Sequence, residues 1–224
     1  RPQPLRELRE QIRDILAAAG MQETISYSLT SLEALEKVHA TKNSHMPLRM
    51  ANPMSNELEY LRTTLKSSIL MTLAYNLRHK EESVRIFEVG RVYLPREEDL
   101  PEEREIAIGV FAGQRSPTSW TTRQVNMGFY DAKGMVETML GHLGVKPSFE
   151  STNDPVLHPG KSANIVCGKL SVGVVGELHP KVLERFDIDE TTVALFEIDI
   201  ETLSSLESGV VRKFKDFSRF PAST

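Results

Sequence analysis

The sequence predicts an α+β domain, an antiparallel β-sheet flanked by helices, on three observations. Helical and strand-like patterns are mixed along the chain without the strict strand–helix alternation of a doubly wound fold. In the last third, the runs 162–167 and 170–177 flank Gly168-Lys169 at the spacing of a tight hairpin, a connection only antiparallel strands use. The chain also opens on an amphipathic helix, and further helical segments follow, so the sheet carries helices.

In that first helix Leu5, Leu8, Ile12, Ile15, Leu16 and Ala19 recur at steps of three and four, with Arg6, Glu7, Arg9, Glu10, Arg13 and Asp14 on the other face. Pro2 and Pro4 suit its entry and Gly20 its C-terminal cap. Ile25, Tyr27 and Leu29 alternate from Glu23 to Leu29, which predicts a strand with one buried face. Thr30-Ser31-Leu32-Glu33 reads as a capping box opening a short helix to about Val38. Residues 40–45 read as a loop, Pro47 to Ala51 as a short strand, and Asn52-Pro53-Met54-Ser55 as turn chemistry. A helix follows from about Ser67 to His79, with Ile69, Leu70, Leu73 and Leu77 on one side.

Val84 to Leu94 is the clearest strand, interrupted at Gly90. Arg96 to Glu105 holds six acids against two arginines and includes Pro101, so it reads as a solvated acidic loop. Glu105 to Ala112 is the next strand, Ser116 to Met127 has no readable period, and Asp131 caps a helix ending near Leu143-Gly144. A short helix begins near Pro180, Thr192 to Ile200 is an apolar-rich strand, and Phe214 to Phe217 is a last extended piece.

Composition bounds the function. The 224 residues are 40% apolar and 26% charged, which suits one large globular domain or two small ones rather than a disordered chain. Lys plus Arg number 27 against 31 Asp plus Glu, a net charge of -4. That excludes nucleic-acid binding through bulk positive charge and leaves local contacts open. One cysteine excludes an internal disulfide and a multi-Cys zinc site. Cys167, in an apolar run, reads as a packed small hydrophobe. No run approaches the ~18 apolar residues of a membrane span, and no signal peptide or lipidation motif is seen, so the expectation is a cytoplasmic chain with no membrane partner. It opens on Arg1 rather than Met and reads as a piece of something longer.

Glycine signatures of dinucleotide and P-loop sites and a serine elbow are missing from the sequence. His158, Glu177 and His179 form a metal set only if the fold gathers them; both histidines precede proline, where polar side chains commonly satisfy turn backbone. Glu88 lies mid-strand between Arg85 and Arg91. On a cleft wall it would hold an amine and an arginine a phosphate; otherwise these are cross-strand ion pairs. Arg212, Lys213, Lys215 and Arg219 interleave with Phe214, Phe217 and Phe220, the composition of an RNA contact and equally of lysines snorkelling beside a packed face.

Several segments together resemble the beta subunit of bacterial phenylalanyl-tRNA synthetase, in its class II synthetase-like core. They are Leu8 to Leu29, Ala51-Asn52-Pro53-Met54-Ser55, Tyr60-Leu61-Arg62-Thr63-Thr64-Leu65, Arg85 to Tyr93, Phe129 to Gly134, Leu157 to Ala163, Gly176-Glu177-Leu178-His179-Pro180 and Ser218 to Ala222. They cover nearly the whole chain in the family's order.

The resemblance implies a class II aminoacyl-tRNA synthetase-like sheet, with a core domain over 1–210 and a linker over 211–224 toward an anticodon-binding domain. It implies editing and tRNA-binding modules upstream, and an alpha2beta2 enzyme that charges tRNA with phenylalanine using ATP and magnesium. In that family the alpha subunit is catalytic and this core is silent, without catalytic, cofactor or metal residues of its own. The sequence agrees: Arg62, Glu88 and Arg91 occupy places similar to motif 2, yet no glycine-rich Glu-Arg segment follows, Glu184-Arg185 lacking the glycines. The resemblance further implies that the helix bearing Leu5, Leu8, Ile12, Ile15 and Leu16 packs against the alpha subunit, unless that stripe covers the chain's own sheet. Two other expectations stay open: a free-standing ligase-like enzyme activating a small carboxylate with ATP through Arg62, Glu88 and Arg91, and a tRNA-contact module at 212–220.

Overall fold

A computed structural model describes residues 4–38, 46–79, 83–96, 100–116, 120, 124–189 and 192–207. Among these residues, fifteen elements run in the order α1 (Pro4–Ala18), β1 (Gln22–Glu23), β2 (Leu29–Thr30), α2 (Leu32–Lys37), β3 (Tyr60–Leu61), α3 (Lys66–Arg78), β4 (Ser83–Leu94), β5 (Glu102–Gly113), α4 (Phe129–His142), β6 (Pro147–Ser151), β7 (Leu157–Cys167), β8 (Leu170–Leu178), α5 (Pro180–Arg185), β9 (Val193–Asp199) and α6 (Ile200–Glu207). Seven strands form one sheet in the order β1-β4-β5-β9-β8-β7-β6, and β2-β3 form a small separate ladder. Every pairing is antiparallel except β1 with β4, which is parallel.

Strand alternation sorts the side chains into two layers. Phe87 and Val89 of β4, Ala107 and Phe111 of β5, and Ala194, Phe196 and Ile198 of β9 meet α1, α4 and α6 on one face. Ile86, Ile108, Val110, Val193 and Leu195 meet α3 and α5 on the other. The Gly168-Lys169 hairpin is as expected: Cys167 pairs with Leu170, and Gly168 has φ +64°, which glycine adopts without strain.

Several local expectations are corrected. The strand over 23–29 keeps only its ends, Glu23 in β1 and Leu29 in β2; between them Ile25 and Tyr27 are 91% and 78% exposed, so two of the three predicted buried residues point to water. The chain leaves the sheet at Thr24, whose N–H donates to Phe87 O (2.7 Å), and Ser26 turns inward to meet Glu88. The strand over 47–51 is a single bridge, Arg49 with Tyr60. Ser31, not Thr30, caps α2, accepting from Ala34 N–H at 3.1 Å. β5 begins at Glu102, inside the acidic stretch, because Arg91, Arg96 and Arg104 pair with Glu103 and Glu102. Asp131 acts from the third helical position, accepting from Gly128 N–H at 2.9 Å. β6 and α6 were not anticipated: β6 is a short polar edge strand, and α6 follows β9 directly, with Asp199 Oδ1 accepting from Thr202 N–H (3.0 Å).

Candidate functional site

Position 88 shares a β4 face with Ile86 and Val92, toward α3, so Glu88 is carried into a buried layer. Arg62, just past β3, meets it there: Nη1 lies 2.7 Å from Glu88 Oε1, and each side chain is only 4% exposed. The same nitrogen donates to Ser26 Oγ (2.7 Å) and Nε to Arg91 O (2.8 Å), while Ser26 Oγ lies within hydrogen-bonding distance of both Glu88 oxygens. Gly90 makes room, since a Cβ there would sit 2.5 Å from Arg62 Nη2. Charges this dry persist only when mutually paired and otherwise hydrogen-bonded. The pair therefore staples residues 26–28 and 62 onto β4.

Arg91 does not join them. Odd positions of β4 face the other layer, so Arg91 pairs with Glu103 and with Glu105 (3.1 Å), and Arg9 of α1 reaches Glu105 at 3.0 Å. The same parity sends Arg85 to Met127 Sδ (3.2 Å) and the Arg115 carbonyl, so neither arginine pairs with Glu88.

The α1 stripe lies in the chain's own core. Leu8, Ile12 and Leu16 are 1%, 0% and 0% exposed, and Leu5 and Ile15 pack beside them. Each of the three contributes about 1.5–3 kcal/mol by leaving water, so these atoms form no exposed stripe. His158 Nδ1 accepts from Gly160 N–H and His179 Nδ1 from Lys181 N–H, both at 3.1 Å. Glu177 binds Lys161 (2.6 Å) and the Phe129 N–H (3.2 Å). Among the described residues no group of three or more His, Cys, Asp and Glu is placed to hold a metal, and no helix is long and apolar enough to cross a membrane. Burial pushes the Cys167 thiol pKa up, which keeps it unreactive. The basic-aromatic run 212–220 and the expected linker lie outside the described residues.

Sequence reasoning missed one concavity among the described residues. A cleft of about 870 Å³ opens on the α3 side of the sheet, where Val193 and Leu195 of β9 give way, on the same face, to Glu197 and Asp199. Its charged lining is Lys66 at the start of α3, Arg104 of β5, Asp154, Glu197 and Asp199; Arg62, Glu88 and Arg91 do not line it. Lys66 Nζ binds Asp154 at 2.7 Å and lies 3.8 Å from Glu197, while Arg104 binds Asp199 (2.9 Å) and Glu102 (2.5 Å). Burial raises the Glu197 pKa above the ordinary carboxylate value, with Lys66 pulling against it. Burial disfavours the charge on Lys66, but Glu197 and Asp154 together outweigh it and its pKa is raised. The available signal was the pair of acids two residues apart in an otherwise apolar strand.

The mostly antiparallel sheet with helices on both faces has a counterpart in a solved synthetase structure. The solved structure of Desulfitobacterium hafniense PylSc, a pyrrolysyl tRNA synthetase, superposes with a TM-score of 0.67 over 92% of this chain and 69% of that one, at 17% identity, a likeness of fold. A family model described as "Phenylalanyl tRNA synthetase beta chain CLM domain" matches residues 1–200, and the chain belongs to that family. The phenylalanine–tRNA ligase beta subunit of Dehalococcoides mccartyi strain 195 is 38% identical over 98% of this chain, and that of Halalkalibacterium halodurans 36% over 96%. The chain spans 27% of the length of each.

Proposed function

We propose that this chain is a non-catalytic core of the beta subunit of a phenylalanine–tRNA ligase, and that it docks the catalytic alpha subunit of an alpha2beta2 enzyme charging tRNA with phenylalanine. The observation that carries the reading is the Arg62–Glu88 pair. Two of the three residues that resemble motif 2, Arg62 and Glu88, are buried against each other, and the segment they pin turns Ile25 and Tyr27 outward beside the sheet edge at β1. Large exposed apolar side chains next to a sheet edge suit a protein partner. Met50 and Met54, 38% and 88% exposed, belong to the loop that bridges to β3.

Inactivity of this core has its own physical support. The cleft carries three carboxylates, and its two cations are already paired with them, so a nucleoside triphosphate would meet net negative charge. The residues of the cleft do not fit ATP with magnesium, whose chemistry in this reading belongs to the alpha subunit.

Co-purification of tagged alpha subunit with wild type and with Ile25→Asp plus Tyr27→Asp tests the docking. Both positions are exposed, so the variant retains its fold and is expected to lose alpha. Equal recovery of alpha by the folded variant refutes docking through this surface. Ile12→Glu plus Leu16→Glu is unsuitable, because it would bury two carboxylates in the core.

A further inference from the structure

The cleft beside β9 is lined by one more carboxylate than cations. Asp154 has Lys66, and Asp199 has Arg104, but Glu197 Oε2 is buried without a hydrogen-bond donor and Oε1 has only Lys66 Nζ at 3.8 Å. The Thr63 hydroxyl, also in the lining, is likewise without a partner. Around these groups the wall is apolar, with Val92, Leu94, Ile106, Val156 and Val174. A pocket of several hundred Å³ with an apolar wall and a few converging polar groups is the form of a small-molecule site. The Glu197 carboxylate, 23% exposed with its nearest cation at 3.8 Å, is only loosely compensated, and a ligand that brings both a donor and a positive charge adds to that compensation.

We propose that this cleft binds a small organic ammonium ion, a primary amine on an apolar body, with the ammonium on Glu197 and the body against Val92, Ile106 and Val174. A carboxylate or phosphate ligand is disfavoured by the same charges, since Lys66 and Arg104 are engaged. The cavity is large enough for a body of benzyl size. The site is independent of the docking reading, because it involves neither Ile25 nor Tyr27.

Titration calorimetry of the purified chain with benzylammonium chloride tests it, with sodium benzoate and tetramethylammonium chloride at equal ionic strength as controls. The expected result is saturable binding of benzylammonium, much weaker binding of tetramethylammonium, which has no N–H, and none of benzoate. Glu197→Gln keeps the shape and removes the charge; loss of a charge-assisted hydrogen bond lowers affinity about tenfold or more. Val174→Phe keeps the charge, fills the cleft and is expected to abolish binding. The proposal is overturned if benzylammonium shows no saturable binding up to its solubility, if benzoate binds equally, or if folded Glu197→Gln binds as wild type does.

Discussion

Removing Glu88 is the sharpest probe of the buried pair. In Glu88→Ala the Arg62 guanidinium keeps Ser26 Oγ and the Arg91 carbonyl but loses its counter-charge at a site 4% exposed. An uncompensated buried charge of this kind costs about 3–5 kcal/mol, against a total stability of about 5–15 kcal/mol for a typical domain. At roughly 2–4 °C per kcal/mol for a chain of this size, the melting temperature falls by roughly 6–20 °C. Arg62→Met should cost a similar amount, since it strands the carboxylate. The double variant Arg62→Met plus Glu88→Leu removes both charges and should recover at least half of either loss, because apolar replacement of a whole buried pair is often close to neutral. Urea unfolding followed by circular dichroism, with the four proteins in a double-mutant cycle, measures all of this. A cost for Glu88→Ala below about 1 kcal/mol, the range of an exposed pair, or simple additivity in the cycle, would refute the argument.

Other outcomes follow from the same geometry. Glu197 has a folded pKa raised above 4.5, chiefly by burial, so it binds its proton more tightly folded than unfolded; the associated stability is present below pH 4.5 and is lost as pH rises through the folded value. Glu197→Gln is therefore expected to be more stable than wild type at neutral pH and to lose that advantage toward pH 4.5, and thermal melts across the range showing no pH-dependent difference would contradict this. Gly90→Ala drives a Cβ against the pinned Arg62 guanidinium and should cost about 1–3 kcal/mol in urea unfolding, with an unchanged midpoint as the adverse result. The chain alone, given ATP, phenylalanine and magnesium, should show no pyrophosphate exchange; saturable exchange would favour a free-standing ligase instead.

Much of the architecture was legible because periodicity reports burial directly. The stripe of Leu8, Ile12 and Leu16, the long strand at 83–94 and the Gly168 hairpin are each set by local spacing, and the structure places them as the spacing implies. The same spacing misled at Ile25 and Tyr27, where alternation is real but the inward residue is Ser26, drawn there by a carboxylate 62 positions away. Arg62 and Glu88 were singled out together on resemblance; Arg91 joined them there, and strand parity separates it.

The sequence by itself determined the long helices and strands, the absence of a disulfide framework, and, through its ordered motifs, the family. These follow from the local pattern of apolar, polar and glycine residues. Only the tertiary structure decided that α1 covers the chain's own sheet, that Arg62 is the partner of Glu88, and that Lys66, Arg104, Asp154, Glu197 and Asp199 meet around one cleft. Those residues come from α3, β5, β9 and the segment before β7. Their charges interact through sheet order and strand parity, which no local pattern encodes.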